Sequence, residues 1–492
     1  MLFNSLQFLL FFPLVFLVFH LIPKRAKPLW LLLCSYFFYM CWNAKYALLL
    51  LFSTGVTYGC ALLMGRMRQM GKSDRAVGWM LFAGVMLNLA VLFFFKYFTF
   101  FWENLAAAAG LLGIELSLPA WDLLLPVGIS FYTFQAVGYT VDVYRGDVPP
   151  ERSFLRYALF VSFFPQLVAG PIERSGNLLS QLEELPRPSY EKMRHGFLVM
   201  LWGFFLKMVI ADRIAVFVDT VYGAHEAYPG AYILTATVLF AFQIYCDFAG
   251  YSTIAVGASE MLGIRLMQNF DTPYFSLSVR EFWRRWHVSL SSWFRDYLYI
   301  PLGGSRGGTV KKYRNLLFVF LCSGLWHGAQ WTYVIWGLLN GLYQILEDLL
   351  TKLWRKWRHP AETESLALRL LRMLLTFVLI DLAWVFFRAE SVGQAFAMLR
   401  SMVGTGNWWV LFDTSLFGCG LGEAEFRVML VSIGILLAAD ILAYRKVCVS
   451  DIIEAQPVWF RWIVYLAAIL TIVVFGVWGS GYSAAGFSYF QF

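Results

Sequence analysis

Apolar runs of roughly 17–25 residues recur along the whole chain, the length a helix needs to cross a hydrocarbon core. Short polar or charged stretches separate them. The pattern predicts spans at about 5–22, 29–42, 46–65, 77–101, 122–143, 196–218, 232–257, 373–388, 427–444 and 458–478. Two more segments, 154–171 and 315–350, are apolar but interrupted by Gly or Pro. A membrane barrel would read as short alternating strands instead. The predicted fold is all-α and polytopic, with about 10–12 membrane segments including re-entrant or short helices.

Charge orients these segments. Lys and Arg gather in 24–28, 66–75, 174–194, 258–314, 352–372 and 445–446, whereas 102–121, 219–231 and 405–425 carry acidic residues and neither cation. The positive-inside rule puts the first group in the cytoplasm and the second outside, so both termini come out extracytoplasmic. Segments 154–171 and 315–350 have basic stretches on both sides. Each must enter and leave on one face, as a re-entrant hairpin or a pair of short helices. Non-helical backbone at membrane depth is tolerated only beside protein or a water-filled cavity.

Composition narrows the class. The 492 residues are 60% hydrophobic and 14% charged, against about 25% charged in soluble domains. The net charge of +8 follows the cytoplasmic loops, so nucleic acid is not an expected partner and membrane lipid is. The N-terminal run carries its charges, Lys24, Arg25 and Lys27, after the apolar stretch. It reads as a retained span, not a cleaved signal. Seven cysteines lack C-x-x-C or metal-ligand spacing and read as buried small hydrophobes. No inverted repeat is visible, and Asp247, Asp381 and Asp440 are scattered, which disfavours a transporter.

Two histidines stand out. In "SLSVREFWRRWHVSLSSWFRDYLYIPLGG", Ser278 and Glu281 form a capping box with Leu277 and Phe282 as a staple. From there Trp286, Leu290, Trp293 and Tyr297 recur at helical spacing, with Arg280, Arg284, Ser291, Ser292 and Arg295 on the other side. This predicts one amphipathic helix with His287 on its aromatic face, ending before Pro301. In "FLCSGLWHGAQW" (320–331), His327 lies in apolar sequence beside Trp326 and Gly328, with Gln330 expected one helical turn on. Ionisable groups at membrane depth are costly and usually mark a pathway or reaction site. Desolvation keeps such an imidazole neutral and available as a base.

The pair "REFWRRWHVSLSSWFRDYLYIPLGG" and "GLWHGAQWTYVIWGLLNG" resembles the membrane-bound O-acyltransferase family, in its bacterial branch that acetylates exported polysaccharides such as alginate. "MLFNSLQFLLFFPLVF", "FFPQLVAGPIER" and "YCDFAGYSTIAVGASEMLGIRLMQNFDTPY" extend the likeness in order along nearly the whole chain. The resemblance implies that helices surround a central tunnel, that His327 is the catalytic histidine and that His287 lies at the other wall. A single family domain (1–492) would then comprise N-terminal helices (1–145), a catalytic core (146–372) and C-terminal helices with an aromatic tail (373–492). Localisation would be the bacterial cytoplasmic membrane.

The implied reaction moves an acyl group, acetyl first among them, from a cytosolic thioester to an exported or cell-wall polysaccharide. Acetyl-CoA or an acyl-carrier protein would be the donor, and no bound cofactor or metal is expected. Such chemistry needs a base for the hydroxyl proton and a site that holds both reactants. His327 suits the base, and His287 suits thioester orientation or oxyanion stabilisation, with Trp326, Gln330 and Trp286 in support. Arg284, Arg285, Arg295 and Arg306 fall at the expected cytoplasmic entrance, where they would attract phosphates or an acidic carrier. Tyr489, in the tail "GFSYFQF", is a candidate acyl relay to a separate extracytoplasmic acyltransferase. D-alanyl transfer to teichoic acids is the alternative within the family. A transporter or flippase, or a scaffold of an export complex, is the alternative outside it.

Overall fold

The computed structural model describes residues 1–117, 125–185, 188–357 and 365–477. Every regular element among them is a helix. Among the described residues, six helical stretches are long and apolar enough to cross a membrane: Ala44–Gln69, Asp74–Gly110, Ala231–Met261, Leu366–Arg388, Glu423–Tyr444 and Val458–Phe475. The protein is a multi-pass membrane protein. The spans expected at 5–22 and 29–42 are the helices Leu6–Leu21 and Lys27–Met40, of 16 and 14 residues. Both are shorter than the roughly 20 residues that a crossing takes.

The described residues fall into two compact units. One comprises Met1–Phe197 with Ala255–Met267, the other Leu198–Ile254 with Gln268 onward.

In the first unit the interrupted segment 154–171 breaks where expected. A helix ends at Ser162 and a short turn, Phe164–Leu167, restarts one residue later with Pro165 in its first turn. Downstream, the buried Glu173 carboxylate accepts from the amide of Met267 and from Asn177 Nδ2. Burial pushes its pKa up to about 7, against these hydrogen bonds.

The second unit holds both candidate histidines. The long helix α1 (Ala231–Met261), which belongs to it as far as Ile254, carries Asp247, which shares Lys207 with Asp212 at Nζ–O distances of 2.5 and 2.8 Å. Asp247 is therefore part of a buried ionic triad, not the isolated carboxylate its sequence position suggests. A buried charge is tolerable when paired and hydrogen-bonded. Tyr245, two residues before it, donates to Asp440 at 3.2 Å.

Two short helices follow, α2 (Val279–Arg285) and α3 (Val288–Phe294). The Ser278 hydroxyl accepts from the Glu281 amide at 3.0 Å, as the capping box requires. The Glu281 carboxylate reaches past Ser278 to the Leu277 amide, at 2.9 Å. The single amphipathic helix expected here is broken. Trp286 turns extended (φ −105°, ψ 128°) and His287 is left-handed (φ 45°, ψ 54°).

Helices α4 (Thr309–His327) and α5 (Trp331–Trp357) form an antiparallel hairpin. Such a hairpin turns the chain back on itself, the shape that basic flanks on both sides of 315–350 lead one to expect. Glycines set its closeness. A Cβ on Gly324 would collide with the carbonyl oxygen of Tyr333, and one on Gly337 with that of Phe320. Small residues at a helix crossing allow backbones to approach where apolar burial gives no net drive. Helix α6 (Leu366–Arg388) packs on α5.

Candidate active site

His327 is the last residue of α4, because Gly328 turns extended (φ −166°, ψ 149°) and ends the helix. The side chain is 4% exposed. Its ring meets those of Trp326, Trp336 and Phe387 at centroid distances of 4.9, 5.0 and 5.2 Å, each close to perpendicular or tilted edge-to-face. Edge-to-face packing satisfies the electrostatics of aromatic faces and fixes ring orientation.

His287 occupies the joint between α2 and α3 and is 1% exposed. It lies 4.6 Å from the Phe248 ring of α1 and 5.9 Å from the Trp326 ring. The structure thus brings the two histidines, 40 positions apart in sequence, to one indole. His287 lies outside the six spans, and burial pushes its pKa down to about 3. The imidazole is accordingly neutral at physiological pH. A neutral ring has one N–H to donate and one nitrogen to accept.

An aromatic wall backs both. Trp286 stacks on Phe282 (5.3 Å, 20°) and lies 5.1 Å from Trp384, which stacks on Trp336 (5.8 Å, 19°). Trp283 Nε1 donates to Asn340 Oδ1 at 3.1 Å, and Asn340 Nδ2 donates to the Trp336 carbonyl at 2.8 Å. One Asn side chain therefore ties α2 to the hairpin.

The remaining sequence candidates separate. Trp326 and Trp286 are buried within this cluster. Gln330 is exposed on the turn between α4 and α5. The helix stops at His327, so the expected one-turn spacing does not carry Gln330 to the buried ring. Arg284, Arg295 and Arg306 are exposed, with Arg295 against Asp296 at 2.8 Å. Arg285 is engaged by the fold. It pairs with Glu281 (2.8 Å) and Asp271 (3.7 Å), donates to Thr272 (3.1 Å) and stands over the Tyr444 ring (5.4 Å). Tyr489 lies outside the described residues. Among the described residues no cluster of three His, Cys, Asp or Glu could hold a metal.

Reading from sequence missed Trp336, Trp384, Phe387 and Asn340. The aromatics sit in "VIWGLLNG" and "AWVFFRAE", apolar runs whose residues look alike until packing selects a face. Asn340 was the findable one, being an amide in an otherwise apolar run, four residues after Trp336.

The arrangement sets two buried imidazoles, that of His287 neutral, against one indole and shields both from water. Comparison with known proteins points the same way. A sequence model of the membrane-bound O-acyltransferase family matches residues 149–377. A probable alginate O-acetylase from Azotobacter vinelandii is 40% identical over 409 residues, 83% of this chain and 79% of its own length. A peptidoglycan O-acetyltransferase from Helicobacter pylori is 36% identical over 438 residues, 82% of this chain and 80% of its length. A teichoic acid D-alanyltransferase from Streptococcus thermophilus is 30% identical over 240 residues, 46% of this chain and 58% of its length. With buried paired histidines on a helical membrane scaffold and relatives matching over most of their length, the chain belongs to the membrane-bound O-acyltransferase family.

Proposed function

We propose that this O-acyltransferase moves an acetyl group from a cytosolic thioester to a polysaccharide exported from the cell or held in its wall. The observation that carries the reading is the convergence of His287 and His327 on Trp326, in a chain whose relatives include a probable alginate O-acetylase and a peptidoglycan O-acetyltransferase.

In this reading His327 accepts the proton of the acceptor hydroxyl as its oxygen attacks the thioester carbonyl. A tetrahedral oxyanion forms, and His287 donates its N–H towards it. The C–S bond then breaks, and the leaving thiolate takes the proton from His327. Acetyl-CoA serves as donor, with an acyl-carrier protein as the other thioester of suitable chemistry. The exposed Arg284, Arg295 and Arg306 favour a phosphate-bearing donor by long-range attraction. In this reading they face the cytoplasm at the bacterial inner membrane, with both termini outside, the orientation the positive-inside rule favours. Tyr489 is the proposed relay to a separate surface enzyme, and Tyr489→Phe would then abolish polymer acylation.

The test is to release alkali-labile acyl groups from surface polysaccharide of a strain lacking the gene, with and without the wild-type chain. Acetate restored by the gene supports the reading. D-alanine restored instead would move the protein to the teichoic-acid reaction, and no restored acyl group would remove the enzyme from surface glycan chemistry.

A further inference from the structure

A helix beginning at Val288 leaves its first amides without partners in the helix, and they are usually met by the side chain of the residue just before it. Here that residue is His287, whose imidazole makes no cap and instead packs against Phe248 and Trp326. The cap comes from 18 positions upstream. The Asn269 carbonyl accepts from the Val288 amide at 3.0 Å, and Asn269 Oδ1 accepts from the Ser289 amide at 3.3 Å. Asn269 is 2% exposed.

The amide orientation is also fixed. Asn269 Nδ2 donates to Ser252 Oγ of α1 at 3.1 Å, which leaves Oδ1 towards Ser289. Ser252 is one turn after Phe248, the ring against His287. On the other side of the joint, the Asp271 amide donates to the Arg285 carbonyl at 3.0 Å. Residues 269–271 thus splint both sides of the break. The left-handed conformation at His287 is sparsely populated for a non-glycine residue and persists only when its surroundings impose it.

We infer that Asn269 is a positioning residue: it caps α3 from a distance, relieving His287 of that task and holding its imidazole in the left-handed joint against Trp326. The inference rests on the proposed role of His287 for its functional consequence, but not for the cap itself. The division of labour is physical. A Ser or Asp at position 287 would cap the helix locally and supply no ring, whereas a His there needs its helix capped by another residue.

Two readouts on the full-length protein in detergent micelles and in cells test this. Hydrogen exchange across 288–295 reads the cap, and acyl ester on surface polysaccharide at matched protein levels reads the consequence. Asn269→Ala should speed exchange at Val288 and Ser289 and lower the ester about tenfold or more, the scale of a lost cap carried into His287 placement. Asn269→Asp keeps an acceptor for Ser289 and an oxygen for the Ser252 hydroxyl, and should restore both readouts to within about threefold. Ser252→Ala should fall between them. Unchanged exchange in Asn269→Ala would overturn the cap. Changed exchange with full acylation, while His287→Ala abolishes it, would overturn the positioning role. Full acylation in His287→Ala would fault the reading of His287 and leave the cap to stand on exchange alone. An Asn269→Asp protein as impaired as Asn269→Ala on both readouts would overturn the inference.

Discussion

The indole of Trp326 lies edge-to-face to the imidazole of His287 at 5.9 Å, and its own neighbour in sequence, His327, is 4.9 Å away on the other candidate ring. One side chain therefore touches both imidazoles that the proposed reaction would use. Loss of that spacing is costly, because catalysis by positioning fails over displacements of about an ångström.

Trp326→Ala removes two aromatic contacts worth about 0.5–1.5 kcal/mol each. Acyl ester on the surface polysaccharide should fall roughly ten- to a hundredfold at matched protein levels. Trp326→Phe keeps a ring and should retain most activity. Equal activity in both variants would detach Trp326 from the reaction.

The hairpin depends on glycine. Gly324→Ala must displace the Tyr333 carbonyl, and overpacking of this kind costs about 1–3 kcal/mol. Thermal unfolding in detergent should shift down by several degrees, with acylation lost in proportion to folded protein. Gly404, at the end of the helix Val392–Gly404, has open space around its would-be Cβ. Gly404→Ala should stay within about 0.5 kcal/mol of wild type.

The arginines should divide by environment. Arg285, held by Glu281, Asp271 and the Tyr444 ring, should lower folded protein when replaced by Ala, with little change in donor KM. Arg284→Glu with Arg295→Glu should raise the KM for acetyl-CoA about three- to tenfold and weaken its salt dependence, because exposed charges act through screened attraction. The opposite division would contradict these assignments.

Neutral burial of His287 has a pH consequence. Its folded pKa of about 3 lies below the ordinary value of 6.5, so below pH 6.5 the unfolded chain binds the proton that the folded chain excludes. The contribution to stability is whole above pH 6.5 and is lost progressively as pH falls towards 3. His287→Gln should flatten the fall in unfolding temperature between pH 6.5 and 4. An unchanged slope would mean that His287 is not the group being charged.

Much of this was legible in the chain. The runs behind Ala47–Gln69, Ala231–Met261, Leu366–Arg388 and Glu423–Tyr444 are long, apolar and bounded by charge, and these became helices. Basic stretches on both sides of 315–350 were enough to require a return to the same face. The break at Trp286–His287 was hidden, because neither residue is Gly or Pro and the 3.6-residue repeat runs through it unbroken. What meets the amides after it is Asn269, whose hydrogen bonds are long-range and leave no periodic trace. Gln330 was misplaced for a related reason: helical spacing holds only while the helix continues, and Gly328 ends it.

The most direct measurement is the acyl ester content of surface polysaccharide in a strain lacking this gene, complemented with wild type or His327→Ala at equal membrane levels. The account predicts full restoration by wild type and none by His327→Ala. Restoration by His327→Ala to the wild-type level would place the chemistry elsewhere and leave this protein a conduit or scaffold.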